Sequence, residues 1–169
     1  MRVYLAGRFS RKDELGPVSQ QLMHEGHVVT SRWLTGAHDW NGVPDEEIPE
    51  YAQAWFGRDD LDDIQAADAI VCFTEESGTG PARGGRHVEM GFALGLGKTV
   101  IACGPIENVF YALPEVIKCQ SVAEVRRALY WLGMGADARY VIATIEEFRH
   151  GPTISDLVSR FRECDAVDV

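Results

Sequence analysis

Ala69-Ile70-Val71-Cys72-Phe73 and Thr99-Val100-Ile101-Ala102-Cys103 are two short apolar runs, and between them stands Gly84-Gly85-Arg86-His87-Val88-Glu89-Met90-Gly91-Phe92-Ala93-Leu94-Gly95-Leu96-Gly97-Lys98. Apolar runs bounded by turn residues read as buried strands, and the stretch 87–96 between them reads as a helix. A helix joining two such strands is a crossover, so the strands must lie parallel. The glycine- and proline-rich stretch 74–86 is then the loop at the C-terminal end of the first of them.

The alternation continues on both sides. Val3-Tyr4-Leu5-Ala6, closed by Gly7, is a strand, and residues 13–25 carry Leu15, Val18, Leu22 and Met23 at helical spacing. Gly26 ends that helix and residues 27–30 form a β-branched strand. Residues 51–67 suit a helix with Ala54, Trp55, Leu61 and Ile64 on its apolar face, and Asp68 is a turn or cap residue before the next strand. Residues 115–120 read as a strand, 122–132 as a helix and 154–164 as a final amphipathic helix. The expected fold is α/β: one domain over residues 1–169, an open doubly wound parallel sheet of about five strands, flavodoxin-like or Rossmann-like. Ligands of such sheets sit beyond the strand C-termini, which singles out the loops 7–12, 31–49 and 74–86.

With 169 residues the chain supports one core, and it shows no composition break or internal repeat. A net charge of −10 argues against nucleic-acid binding, which relies on neutralising phosphates with Lys and Arg; small molecules are the expected ligands. No stretch is apolar enough for a membrane span and no signal-peptide pattern opens the chain, so a cytoplasmic protein is expected. Cys72, Cys103, Cys119 and Cys164 lack metal-binding spacing and are assigned to packing; no metal or cofactor is expected. The acids around Asp45 and those at Asp59, Asp60, Asp62 and Asp63 read as solvated faces.

Glu89 is the candidate centre. It falls in the first turn of the helix that opens near His87, where an acid often does no more than complement the helix dipole. Gly91, Ala93 and Gly95 favour a larger role, since glycines cost a helix about 1 kcal/mol each and a slim face lying tight on the sheet would compensate. Trp33, His38 and Trp40 lie on the long loop, where they either pack it down or stack on a planar ligand.

Three strings, Val3 to Gly7, Asp60-Leu61-Asp62-Asp63-Ile64 with Ala67-Asp68-Ala69-Ile70, and Glu89-Met90-Gly91-Phe92-Ala93-Leu94, resemble nucleoside 2-deoxyribosyltransferases and the related deoxynucleoside 5′-monophosphate N-glycosidases. The resemblance spans about residues 3–103. It implies that Glu89 attacks the anomeric carbon of a 2-deoxyribosyl group, that Asp60 serves the departing base, and that Tyr4 orients Glu89. The sugar then passes to another base or to water. An anionic carboxylate suits this task because it stabilises and then captures an oxocarbenium-like centre.

Six residues before Glu89, where the transferases often carry another acid, this chain has Arg83, which points to an anionic substrate. Gly7, Arg8, Ser10 and Arg11 after the first strand, with Ser77, Arg83, Gly85, Arg86 and His87 before the catalytic helix and Trp33 beside them, are candidate substrate-binding residues. The arginines either hold a 5′-phosphate or form ion pairs within the protein. The expected partner is a nucleoside or nucleotide, and a homodimer or larger homo-oligomer is implied by the resemblance. Two other readings stand beside it: a non-catalytic nucleotide-binding module of the same fold, and a phosphoribohydrolase acting on ribonucleoside monophosphates. Asn108, Phe110 and Tyr111, in the region that departs most from the pattern, either cap the pocket or supply an oligomer contact.

Overall fold

A computed structural model describes residues 1–38, 43, 47–76 and 84–150. Five strands, β1 (Arg2–Ala6), β2 (Val28–Val29), β3 (Ala69–Phe73), β4 (Thr99–Cys103) and β5 (Ile117–Cys119), form one all-parallel sheet in the order β2-β1-β3-β4-β5. Tyr4 pairs in register with Ile70, Ile70 with Val100, and Cys103 with Cys119. β1 and β3 are apolar along almost their whole length because helices cover both faces.

The helices are α1 (Lys12–His24), α2 (Glu50–Ala66), α3 (Gly85–Gly95), α4 (Val122–Gly133) and α5 (Ala138–His150). The chain moves one way across the sheet from β1 to β2 and the opposite way from β2 onward. Right-handed crossovers therefore put α1 on one face, and α2 and α3 on the other. α2 packs on α3, and the Arg126–Glu25 ion pair ties α4 to the end of α1. Strand order reverses between β1 and β3, and in this fold ligands bind at that reversal.

Several expectations meet corrections. β2 is two residues long rather than four. Past a last backbone bond from the Thr30 N–H to the Val3 carbonyl at 2.9 Å, side chains replace the ladder: Ser31 Oγ accepts from the Leu5 N–H at 2.6 Å, and the Trp33 indole N–H donates to the Leu5 carbonyl at 2.9 Å. On α2, Ala54 and Trp55 face outward, while the buried positions are Ala52, Asp59, Asp63 and Ile64. Asp59 and Asp63 are thus not on a solvated face. The Arg32 guanidinium reaches Asp59 Oδ1 at 2.9 Å and Asp63 Oδ1 at 2.7 Å, which makes their burial tolerable.

α3 begins at Gly85, not near His87, because Gly84 takes a left-handed conformation (φ +77°) that turns the chain into the helix. Gly91 and Gly95 are exposed with open space around them, and only Met90 and Ala93 of this helix are buried. Glu89 is therefore not held by a slim glycine face lying on the sheet. α5 was not foreseen, although Val141 and Ile145, its buried residues, stand at helical spacing. The expected helix at 154–164 lies outside the described residues. Cys72, Cys103 and Cys119 are buried thiols in adjacent strands, and Cys164 lies outside the described residues. No helix among the described residues is long and apolar enough to cross a membrane.

Candidate active site

Tyr4 stands in the middle of β1, fully buried, with its ring on the α2–α3 side of the sheet. Its hydroxyl donates a 3.0 Å hydrogen bond to Glu89 Oε1, and Asp60 from α2 approaches the same hydroxyl. Three elements far apart in sequence thus converge on one phenolic oxygen. With α3 starting at Gly85, Glu89 lies past the first turn, where the orphan amides no longer call for an acid. The role of simple dipole complement is removed.

Electrostatics at this point are unusual for carboxylates. Burial, reinforced by the nearby Asp60 charge, pushes the Glu89 carboxyl up to about 7, against the opposing pull of the Tyr4 hydrogen bond and Arg86. Burial likewise raises Asp60, opposed by the Tyr4 hydroxyl and His38. Tyr4 is held well above the usual phenol range, first by burial and then by Glu89 and Asp60, so it stays a donor. A phenol has one proton to give, and two ionised carboxylates cannot both be satisfied by it. The arrangement therefore favours one carboxylate and one carboxylic acid at neutral pH.

Glu89 Oε2 and Asp60 Oδ1 are buried without a hydrogen-bond partner. Buried carboxylate oxygens left unpaired are costly, and they concentrate where a ligand or reaction uses them. His38, which sequence reasoning placed on the long loop without a fixed role, is buried at 3.7 Å from Asp59 and 4.0 Å from Asp60, with its ring stacked on Phe56 at 4.6 Å. Trp33 packs the loop onto β1, and Trp40 lies outside the described residues.

The remaining candidates divide into two groups around the C-terminal edge. Arg8, Ser10 and Arg11 line a cleft of about 360 Å³ with Thr74, Glu75 and Glu76. Arg8 pairs with Glu75 at 2.5 Å, and Arg11 lies 3.7 Å from Glu75 and 2.6 Å from Glu14. Arg86 donates to the Phe73 carbonyl at 2.9 Å and pairs with Glu107. His87 Nδ1 is 3.3 Å from the Tyr111 hydroxyl and from Asn108 Nδ2. Gly7 lies over Leu15 and Trp33, where a Cβ would come within 2.5 Å of Leu15 Cδ1. Gly85 is the first residue of α3. Ser77 and Arg83 lie outside the described residues.

Glu75 and Glu107 were missed in the sequence. The signal was present: loop arginines in so acidic a chain need nearby carboxylates, and both acids follow strand ends on the same sheet edge. Tyr111 is fully buried beneath His87, whereas Phe110 is exposed. Among the described residues no cluster of His, Cys, Asp and Glu could hold a metal ion.

No protein-family model matches the sequence, and no curated protein matches it. A solved structure from work on the 2-deoxyribosyltransferase of Bacillus psychrosaccharolyticus is similar, with 19% identity and a TM-score of 0.56 over 75% of this chain and 90% of that one. The structure of the Clostridium botulinum CMP N-glycosidase BcmB aligns over 78% of this chain and 99% of its own, at 19% identity and a TM-score of 0.46. At this identity the first likeness speaks to architecture: the chain has the single-sheet α/β fold of the 2-deoxyribosyltransferase structure.

Proposed function

We propose that the protein cleaves or transfers the N-glycosidic bond of a 2′-deoxynucleoside or its 5′-monophosphate. The observation that carries the reading is the Tyr4 hydroxyl bound to Glu89 Oε1, which leaves Oε2 buried and unpaired on a carboxyl group that feels the Asp60 charge, in a sheet whose strand order reverses beside β1. The fold shared with a 2-deoxyribosyltransferase structure supports the same reaction class.

In the proposed mechanism the ionised Glu89 attacks C1′ through Oε2 while the C–N bond breaks and its electron pair leaves with the base. The one proton that the Glu89–Asp60 pair holds, shifted from Glu89 to Asp60 as Glu89 ionises for attack, is delivered by Asp60 to the base nitrogen. Tyr4 orients Glu89 and stays protonated throughout. Attack of a second base or of water on C1′, its proton passing to the Asp60 carboxylate, then releases the Glu89 carboxylate, as in double-displacement glycoside chemistry. Lacking the electron-withdrawing 2′-hydroxyl, a deoxyribosyl group reaches the cationic transition state more readily than a ribosyl group.

The arginines bear on nucleoside against monophosphate. Arg8 and Arg11 face Glu75, and Arg86 faces Glu107, so a 5′-phosphate must compete with carboxylates for them. Deoxynucleosides, their 5′-monophosphates and AMP, each with and without a second free base, are therefore incubated with the protein and followed by chromatography. Exchange supports transfer, and release without exchange supports hydrolysis. Preference for AMP over dAMP supports the phosphoribohydrolase, and saturable binding without product supports the nucleotide-binding module. A Glu89→Gln variant that releases base at the wild-type rate overturns the mechanism.

A further inference from the structure

Glu107 follows β4 and has no part in the mechanism above, yet its carboxylate meets the Glu75 backbone, Arg86 and His87 on this edge of the sheet. A single oxygen, Oε1, accepts the backbone N–H of Glu75 at 2.8 Å and the Arg86 guanidinium. The other, Oε2, lies 3.9 Å from His87 Nε2 and is buried without a hydrogen bond. Glu75 ends one side of the segment 77–83, and Arg86 and His87 begin the other. One carboxylate thus joins the chain just past β3 to the first turn of the helix that carries Glu89.

We propose that Glu107 is a positioning residue for Glu89: it pins the start of α3 to the ends of β3 and β4 and cancels the Arg86 charge beside the candidate nucleophile. The proposal rests on the reading of Glu89 as that nucleophile. Arg86 and Glu107 side chains are 13% and 12% exposed, so solvent does little to screen them. Arg86 pulls the Glu89 carboxyl down from the level that burial sets, and Glu107 limits that pull by neutralising the guanidinium. Glu89 is also faced by Tyr4 from β1, Asp60 from α2 and Cys72 from β3, and burial keeps the Cys72 thiol neutral. Around Glu107 and Arg86, among the described residues, stand Cys72, His87 and Tyr111, the last kept protonated by burial.

The test is direct titration of Glu89 by NMR on protein labelled with carboxyl-¹³C glutamate, assigned by loss of the signal in Glu89→Gln. In Glu107→Gln the amide oxygen still accepts from Glu75 while the negative charge is gone, so the Glu89 midpoint moves to lower pH. In Arg86→Gln it moves to higher pH, and in the double variant it returns toward the wild-type value. Backbone amide spectra establish that each variant is folded, and Arg86→Gln carries the same test with opposite sign if Glu107→Gln is not. In active protein the acidic limb of kcat/KM follows each midpoint, and Glu107→Ala, which also loses the loop anchor, drops kcat on the order of tenfold or more. An unchanged or raised midpoint in Glu107→Gln overturns the proposal. Because the titration needs no substrate, midpoints that move as expected in a protein silent toward every nucleoside and nucleoside 5′-monophosphate sink the functional reading and leave the electrostatic coupling standing.

Discussion

Glu89→Gln should make the protein more stable above neutrality, and the size of the gain follows from where the carboxyl is held. An ordinary glutamate in the unfolded chain ionises near 4.5, whereas burial and Asp60 hold folded Glu89 near 7. Below 4.5 both states are protonated and the side chain adds no pH dependence. Between 4.5 and about 7 the unfolded chain ionises first, so rising pH favours unfolding, and above 7 the loss levels off. The span of about 2.5 pH units at 1.36 kcal/mol each amounts to roughly 3 kcal/mol, an upper bound because solvent and relaxation soften it. Glutamine keeps the shape and the acceptor for Tyr4 but never ionises. Urea unfolding of both proteins at pH 5 and pH 8 should show a difference that grows by about 2 kcal/mol in favour of the variant at the higher pH. A difference that stays constant or shrinks over that interval refutes the claim that the fold carries a raised Glu89.

Tyr4→Phe removes a donor to a charged group, worth about 1.5–3 kcal/mol, so base release should fall roughly ten- to a hundredfold and the acidic limb of kcat/KM should move to higher pH. An unchanged pH profile contradicts the orienting role. Arg32→Ala leaves Asp59 and Asp63 buried without their cation, and urea unfolding should show a loss of about 1–3 kcal/mol, below the range for a fully buried pair because the guanidinium is 43% exposed. Gly104→Ala places a Cβ 2.5 Å from Thr74 Oγ1 at a φ of +123°, and thermal unfolding should report a loss of about 1–3 kcal/mol.

The sheet was legible because its signal is local. β3 and β4 are apolar runs with turn residues at both ends, and their bounds match the expectation at every residue. β2 was overextended because its last hydrogen-bonding role passes to Ser31 and Trp33, whose side chains serve the Leu5 backbone and leave no periodicity to read. The buried face of α2 was misread for a related reason. Asp59 and Asp63 occupy core positions that a hydrophobic pattern assigns to apolar residues, and only the fold brings Arg32 to meet them.

At the site, Glu89 was singled out along the chain, Tyr4 and Asp60 were named from the resemblance, and the structure brings all three to one hydroxyl. What spacing could not show is that the arginines are already paired. That the arginines need carboxylates was readable in so acidic a chain, but which carboxylate meets which arginine depends on the ordering of β3 and β4 in the sheet. His38 was visible as a ring on a loop, and its seat between Asp59 and Asp60 depends on how that loop returns to α2.

The central claim is that Glu89 forms a bond to the sugar. Protein mixed with an excess of deoxynucleoside or deoxynucleoside monophosphate, acid-quenched within one turnover and digested, can be read by peptide mass spectrometry. The account predicts one added 2-deoxyribosyl group on the peptide containing Glu89, absent in Glu89→Gln. Base release at full rate with no such adduct, or with the adduct on another residue, would contradict it.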